Sequence, residues 1–423
     1  MTGTSEVPVT CADLHSPSTH AGVITILPMN NSRRESIYLD YSATTPVAPE
    51  VTAAMLPYLS ETFGNASSLH EYGRNAAAAL DEAHSVVGCA IGARASEIVF
   101  TGCGTEADNL ALRGVAFAAR QRGRGNHIIT APVEHHAVEG TAHQLRELFG
   151  FDVTMLPVDG CGRVDPDEVR RALREDTTLV SIMLANNEVG TLQPVAEIGR
   201  ICKENGVTFH TDAVQAPAYL NVDVNDLNVD MLALSSHKFY GPKGVGVLYV
   251  RDGTPYIPTI TGGGHERGRR PGTVNVAGAV GTAAAVKYIT AQRDEQVPRL
   301  RQLRDRLVEG VLAAVPDAHV SGHPQVRLPH HASFVFKGVD GEALLMALDV
   351  EGISVSTGSA CTSGNPEPSP VLLAMGIPGD WALGGLRVTL GYHTTADEID
   401  YVINTLPRCV AQVRNAASEF MEM

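Results

Sequence analysis

From Tyr38 onward the chain alternates short apolar runs with segments of helical period, and this alternation constrains the fold more than any other feature. The strand-like runs are IVFT (98–101), HIIT (127–130), DVTMLPV (152–158), TLVSIMLA (178–185), VTFHTD (207–212), MLALSS (231–236) and GVGVLYV (244–250). Helical spacing fills the intervals at 75–90, 105–122, 137–149, 165–174 and 194–205. TLVSIMLA is almost continuously apolar, as a strand covered on both faces must be. The pattern predicts an α/β fold with a mostly parallel central sheet flanked by helices. It changes near residue 290. An amphipathic helix at 293–314, then ASFVFKG, ALLMALDVEG, ISVSTGSAC, LRVTLG and a last helix at 396–415, read as a smaller α+β domain. The expected organisation is a large domain over 48–290, a small domain from 36–47 and 291–423, and a disordered leader over 1–35.

The formal charge of −15 argues against general binding to nucleic acid or an anionic membrane. No apolar run reaches the ~18–20 residues that span a bilayer. The leader has one short apolar patch, Val23 to Met29, with no basic start before it, so it does not read as a secretory signal. Seven widely spaced cysteines without a C-x-x-C suit free thiols in a reducing cytoplasm. His135-His136 and His330-His331 have no partner at zinc-ligand spacing, so no metal site is expected.

Ligands of open α/β sheets sit beyond the carboxyl ends of the strands, and four segments with chemical potential fall there. GCGTEADN (102–109) follows a strand and opens a helix. Gly104 permits close approach and Thr105 adds a hydroxyl where free N–H groups favour an anion; the plain alternative is a capped turn. Asp212 ends an apolar strand, where a buried carboxylate needs a cation, unless it is a solvated turn residue. Lys238 follows MLALSS. A desolvated lysine favours the neutral amine and Schiff-base chemistry, whereas Lys243 reads as a surface turn residue. Cys361 lies in STGSACTSGNPEP (356–368), without helical period, and is a candidate nucleophile that needs a partner to hold its thiolate. Together an anion cradle, an acid, an amine and a thiol describe a pyridoxal-phosphate site.

The sequence resembles the cysteine desulfurases of the nitrogen-fixation and housekeeping iron–sulfur type, which are class V aminotransferase-like enzymes of pyridoxal-phosphate fold-type I. The matching stretches include YLDYSATTPV (38–47), FGNASSLHEYGR (63–74), VEHHAV (133–138), NNEVGTLQPV (186–195), HTDAVQA (210–216), SSHKFYGPKGVGVLYV (235–250), GGGHERGRRPGT (262–273), GSACTSG (358–364) and LRVTLG (386–391). The resemblance implies that Lys238 forms the Schiff base and Asp212 holds the pyridinium nitrogen. It places Asn187 and Gln215 at the ring hydroxyl, His135 stacked on the ring as a proton carrier, and Gly104, Thr105, Ser235 and His237 at the phosphate. Thr273 would reach the neighbouring subunit's phosphate in a homodimer. Arg387, with Asn187, would hold the substrate carboxylate, and Cys361 would take sulfur from L-cysteine as a persulfide, for an acceptor protein serving iron–sulfur clusters or tRNA or DNA sulfur modification. Two departures stand out. Ser236 replaces a usual glycine, and Gly102-Cys103-Gly104 replaces Ser-Gly-Ala, with Cys103 expected to be packed or shielded. The arginines 267, 269 and 270 read as a cofactor or dimer loop.

Overall fold

A computed structural model describes residues 36–358 and 367–421; the leader expected over 1–35 and Cys361 lie outside the described residues. The central sheet has seven strands, in the order Ile98–Thr101, Gly246–Val250, Met231–Ser235, Thr208–Asp212, Thr177–Ser181, His127–Thr130 and Asp152–Met155. Four of its six pairings are parallel. Gly246–Val250 runs antiparallel to both of its neighbours.

Every residue of Thr177–Ser181, Met231–Ser235 and Gly246–Val250 is buried, because both faces of the sheet are covered. Alternation along the strands divides the core in two. Val99, Ile128, Leu179, Ala233 and Leu248 face helices Gly104–Gln121 and His136–Phe149 through Leu110, Val115 and Leu145. Ile98, Phe100, Val180, Leu232 and Val247 face the other way, onto helices Glu71–Ala90, Val195–Glu204 and Val276–Ala314 through Leu80, Ile198 and Ile289.

Strand His331–Phe336 lies between Gly385–Thr389 and Ala318–Val320, antiparallel to both, in a second sheet. Ile37–Tyr38 pairs in parallel with Ile353–Ser354. The helix expected to begin at residue 293 instead starts at Val276 and continues to Ala314, through Pro298. Its alanine- and glycine-rich first half carries no amphipathic stripe, because it is packed tightly: a Cβ on Gly281 would meet Met55 at 2.5 Å. Farther along, a Cβ on Gly310 would meet Ile403 of the helix Ala396–Met421 at 2.7 Å.

Segment 40–45 ties these parts together at the site. Asp40 pairs with Thr389, Thr389 Oγ1 accepts from Ser42 N, and Thr45 N and Oγ1 both donate to the carbonyl of His237. Thr45 Oγ1 in turn accepts from Tyr240 N at 2.7 Å.

Candidate active site

The carboxyl ends of the parallel strands open into a cavity of about 340 Å3. Ten of the twelve residues singled out from sequence line it: Gly104, Thr105, His135, Asn187, Asp212, Gln215, Ser235, His237, Lys238 and Arg387. Thr273 is exposed and does not line the cavity of its own chain. Cys361 lies outside the described residues.

A single helical turn, Ser236–Lys238, follows strand Met231–Ser235 and carries the amine into the cavity. Lys238 Nζ donates to the carbonyls of Ser42 and Ala43 at 2.7 and 2.8 Å. Burial, and then the Arg387 guanidinium, lower its pKa to about 8 against the pull of Asp212 and Asp40. Ser42 O also accepts from Gln215 Nε2 at 3.1 Å, which fixes one lining side chain to the carbonyl that orients the amine. Ser236 is buried facing away from the cavity, its Oγ accepting from Thr282 Oγ1 at 3.1 Å. The serine that departs from the family pattern therefore packs against the long helix rather than against a ligand.

Asp212 is buried at its strand's end, with Oδ1 accepting from Val214 N at 2.9 Å. Burial raises its pKa, opposed by His135, the Val214 N–H and Lys238. His135 caps helix His136–Phe149, its Nδ1 accepting from Ala137 N at 3.1 Å. That bond leaves the ring's proton on Nε2, and burial lowers the imidazole's pKa, so it is held neutral. His237 Nδ1 bonds Thr44 Oγ1 at 3.1 Å, and burial beside Lys238 drops its pKa to about 4.

Gly104 opens an 18-residue helix. A Cβ there would lie 3.0 Å from Val214 and 3.1 Å from Ser235, so glycine lets the helix start close against two strand ends. Gly246 does the same from beneath: its Cβ would lie 2.3 Å from the Cys103 carbonyl. Cys103, expected to be packed or shielded by cofactor, is not packed: it is exposed on the cavity lining, and its Sγ accepts from Glu106 N at 3.4 Å. Glu106 accepts from Gly102 N at 2.7 Å and grips Arg270 through two bonds of 2.7 and 3.1 Å. Arg387 reaches the cavity from the second sheet. Its Nη2 donates to Asp40 at 2.8 Å and its Nη1 to Asn187 O at 3.0 Å, and its buried Nε has no protein partner.

Pyridoxal phosphate fits these donors. It needs an amine, an acid at its ring nitrogen and an anion cradle, and Lys238, Asp212 and the helix start at Gly104 supply them with Ser235 and His237 alongside. The free Nε of buried Arg387 suits a carboxylate, the group a guanidinium binds best.

Several residues escaped the sequence reading. Ser42 and Ala43 act through backbone carbonyls, which carry no residue signal. Asp40, Asp108, Glu134 and Glu188 are acidic side chains at or beside the cavity. Asp108 had one available signal: it is an acid on the apolar face that Ala107, Leu110 and Ala111 present to the sheet.

The chain matches the family Aminotransferase class-V over residues 37–402. It is 48% identical to Cysteine desulfurase IscS of Dictyoglomus turgidum over 381 residues, covering 90% of this chain and 96% of that one. The enzyme of the same name from Methanosarcina thermophila is 49% identical, over 91% and 94% of the two chains. A solved NifS-like protein superposes with a TM-score of 0.83 at 38% identity, over 89% of this chain and all of that one. A mostly parallel sheet with helices on both faces, a lysine and an acid at adjacent strand ends, and these similarities lead to one conclusion: the chain belongs to the class V aminotransferase family of pyridoxal-phosphate fold-type I, and within it to the cysteine desulfurases.

Proposed function

We propose that this cysteine desulfurase takes sulfur from L-cysteine, releases L-alanine and holds the sulfur as a persulfide on Cys361. The observation that carries the reading is a buried amine, Lys238, in one cavity with the buried acid Asp212 and the arginine Arg387. Pyridoxal phosphate, when bound, supplies an aldehyde that condenses with amines and a cationic ring that draws electrons from the substrate's Cα. Asp212 would keep that ring cationic, Gln215 and Asn187 would hold its hydroxyl edge, and His135 would stack on it. Gly104, Thr105, Ser235 and His237 hold the phosphate. Arg387 binds the substrate carboxylate beside Asn187.

Lys238 removes the α-proton. With a pKa of about 8, ~10% of the amine is neutral at pH 7, against well under 1% for an ordinary lysine. The Cys361 thiolate then attacks the substrate sulfur. The substrate's C–S bond breaks, an S–S bond forms, and the carbon fragment is protonated and leaves as alanine. The bound sulfur passes to an acceptor protein that feeds iron–sulfur clusters or tRNA or DNA sulfur modification.

A homodimer is part of this reading. Loop 262–273 is anchored by Glu266, whose Oε2 accepts from Phe100 N and His84, and by Arg269 and Arg270 on Ser96 O and Glu106. Thr273 is left exposed, free to reach a partner's phosphate. Leu56, Leu59, Phe63, Leu69 and Tyr72 are all more than half exposed and suit burial by a second copy. Among the described residues no helix is long and apolar enough to cross a membrane. The five described cysteines are free thiols, which fits a reducing cytoplasm.

The deciding experiment replaces the thiol. Cys361→Ala should keep the cofactor's absorbance and lose both persulfide and sulfide. Alanine release at the wild-type rate in that variant refutes the assignment of Cys361.

A further inference from the structure

Four acids line the cavity, and three of them, Asp108, Glu134 and Asp212, are each no more than 5% exposed; the fourth, Glu188, accepts from Ser369 Oγ at 2.6 Å. The three come from the helix Gly104–Gln121, from the turn after His127–Thr130 and from the end of Thr208–Asp212. Asp212 has the Val214 N–H and the nearby Lys238 to favour its charge. Glu134 Oε1 accepts from Met183 N at 2.8 Å, while its buried Oε2 has no partner. Asp108 Oδ1 is likewise buried and orphaned, 3.5 Å from the equally orphaned Nε2 of His210. His210 lies on the same face of its strand as Asp212 and is fully buried, with Nδ1 on Ser181 Oγ at 2.9 Å.

We propose that Asp108 and Glu134 keep their protons in the working enzyme, Asp108 sharing its proton with His210 Nε2, so that Asp212 alone carries negative charge opposite the cofactor's ring nitrogen. Asp108 and Glu134 are thus positioning residues. They fill the space around Asp212 with neutral groups, and a single full charge faces the pyridinium.

The chemistry of the neighbours supports this. Two or more ionised carboxylates in one water-poor cavity repel one another and forgo hydration, and taking up protons relieves both costs. The titratable groups acting on Asp108 are Cys103 from the helix entry, Asp212 and His210 from the strand, and Glu134 from the facing turn. None of them supplies a cation, since burial holds His210 neutral with a pKa near about 3. Burial first, and then Asp212, push both Asp108 and Glu134 well above the ordinary carboxylate range. A carboxylic acid at Asp108 gives its proton to the one orphaned lone pair in reach, so the two unsatisfied atoms satisfy each other. Lys238 and His135 act on Asp212 instead.

The inference rests on Asp212 as the ring nitrogen's partner, and the test uses the holoenzyme. Infrared difference spectra of Asp108→Asn and Glu134→Gln against wild type should each show the loss of one carbonyl stretch of a protonated carboxylic acid. His210→Phe should keep the Asp108 stretch but move it to the frequency of an unbonded acid. The pH midpoint of the cofactor's visible absorbance should stay within about 0.3 of wild type in the Asn and Gln variants, because a neutral group replaces a neutral group. A missing acid stretch overturns the proposal, as does an unmoved Asp108 stretch in His210→Phe. So does a midpoint lowered by about one pH unit or more in Asp108→Asn, the signature of a lost negative charge. Asp212→Asn separates the two layers: an unmoved midpoint there, with both acid stretches present, refutes the ring partner and not the protonation.

Discussion

In the cofactor-free protein, Lys238, the proposed Schiff-base lysine, should weaken the fold at neutral pH. Its pKa falls from 10.5 to about 8, mainly because burial strips water from the ammonium. Below pH 8 the side chain is protonated in both the folded and unfolded states, and folding bears a cost of about 3 kcal/mol. As pH rises through about 8 the folded amine loses its proton, while the unfolded lysine keeps it up to about 10.5. The unfolded state then binds more protons, so stability increases with pH across that window. Between about pH 7 and about pH 9.5 the wild type should gain about 2 kcal/mol relative to Lys238→Met, in which this titration is absent. That figure is an upper bound, because the Ser42 and Ala43 carbonyls favour the charged amine. Urea unfolding of both cofactor-free proteins at the two pH values measures the difference, and cysteine and tyrosine titrations cancel between them. A difference that stays flat, or that shrinks as pH rises, would refute a desolvated Lys238.

Other outcomes follow from the same geometry. Arg387→Lys keeps the charge but loses the paired donors, so KM for L-cysteine should rise ~10–100-fold, worth ~1.5–3 kcal/mol; an unchanged KM in an alanine-release assay contradicts the clamp. Gly246→Ala drives a methyl into the Cys103 carbonyl at 2.3 Å and Thr101 Oγ1 at 2.5 Å. It should destabilise the fold by about 1–3 kcal/mol and weaken cofactor retention on dialysis; full retention would show that the turn does not depend on this approach. Phe63→Glu puts a charge into the exposed apolar stretch and should shift sedimentation from dimer toward monomer, and a monomeric wild type would sink the two-subunit site.

The strand positions were legible because residues with both faces covered must be apolar along their whole length. IVFT and HIIT occupy the very strands that the structure forms. The start of Val276–Ala314 was not legible, because its first three turns, Val276–Val286, are buried or half-buried all round and small residues there leave no amphipathic signal. At the site, Lys238, Asp212 and Gly104 were readable because each breaks its local pattern: an amine and an acid at apolar strand ends, a glycine at a helix start. Asp40 was not, because its role depends on Arg387, 347 residues away.

The sequence by itself determined the alternation of strands and helices and the kinds of chemical group that stand at the strand ends, since both are properties of short stretches of chain. Only the tertiary structure decided which carbonyls orient the Lys238 amine, that Ser236 faces a helix rather than the cavity, and that Asp108 on its helix meets His210 on the strand beneath. The physical reason is that every residue carries the same carbonyl, and a buried side chain's charge depends on what packing brings beside it.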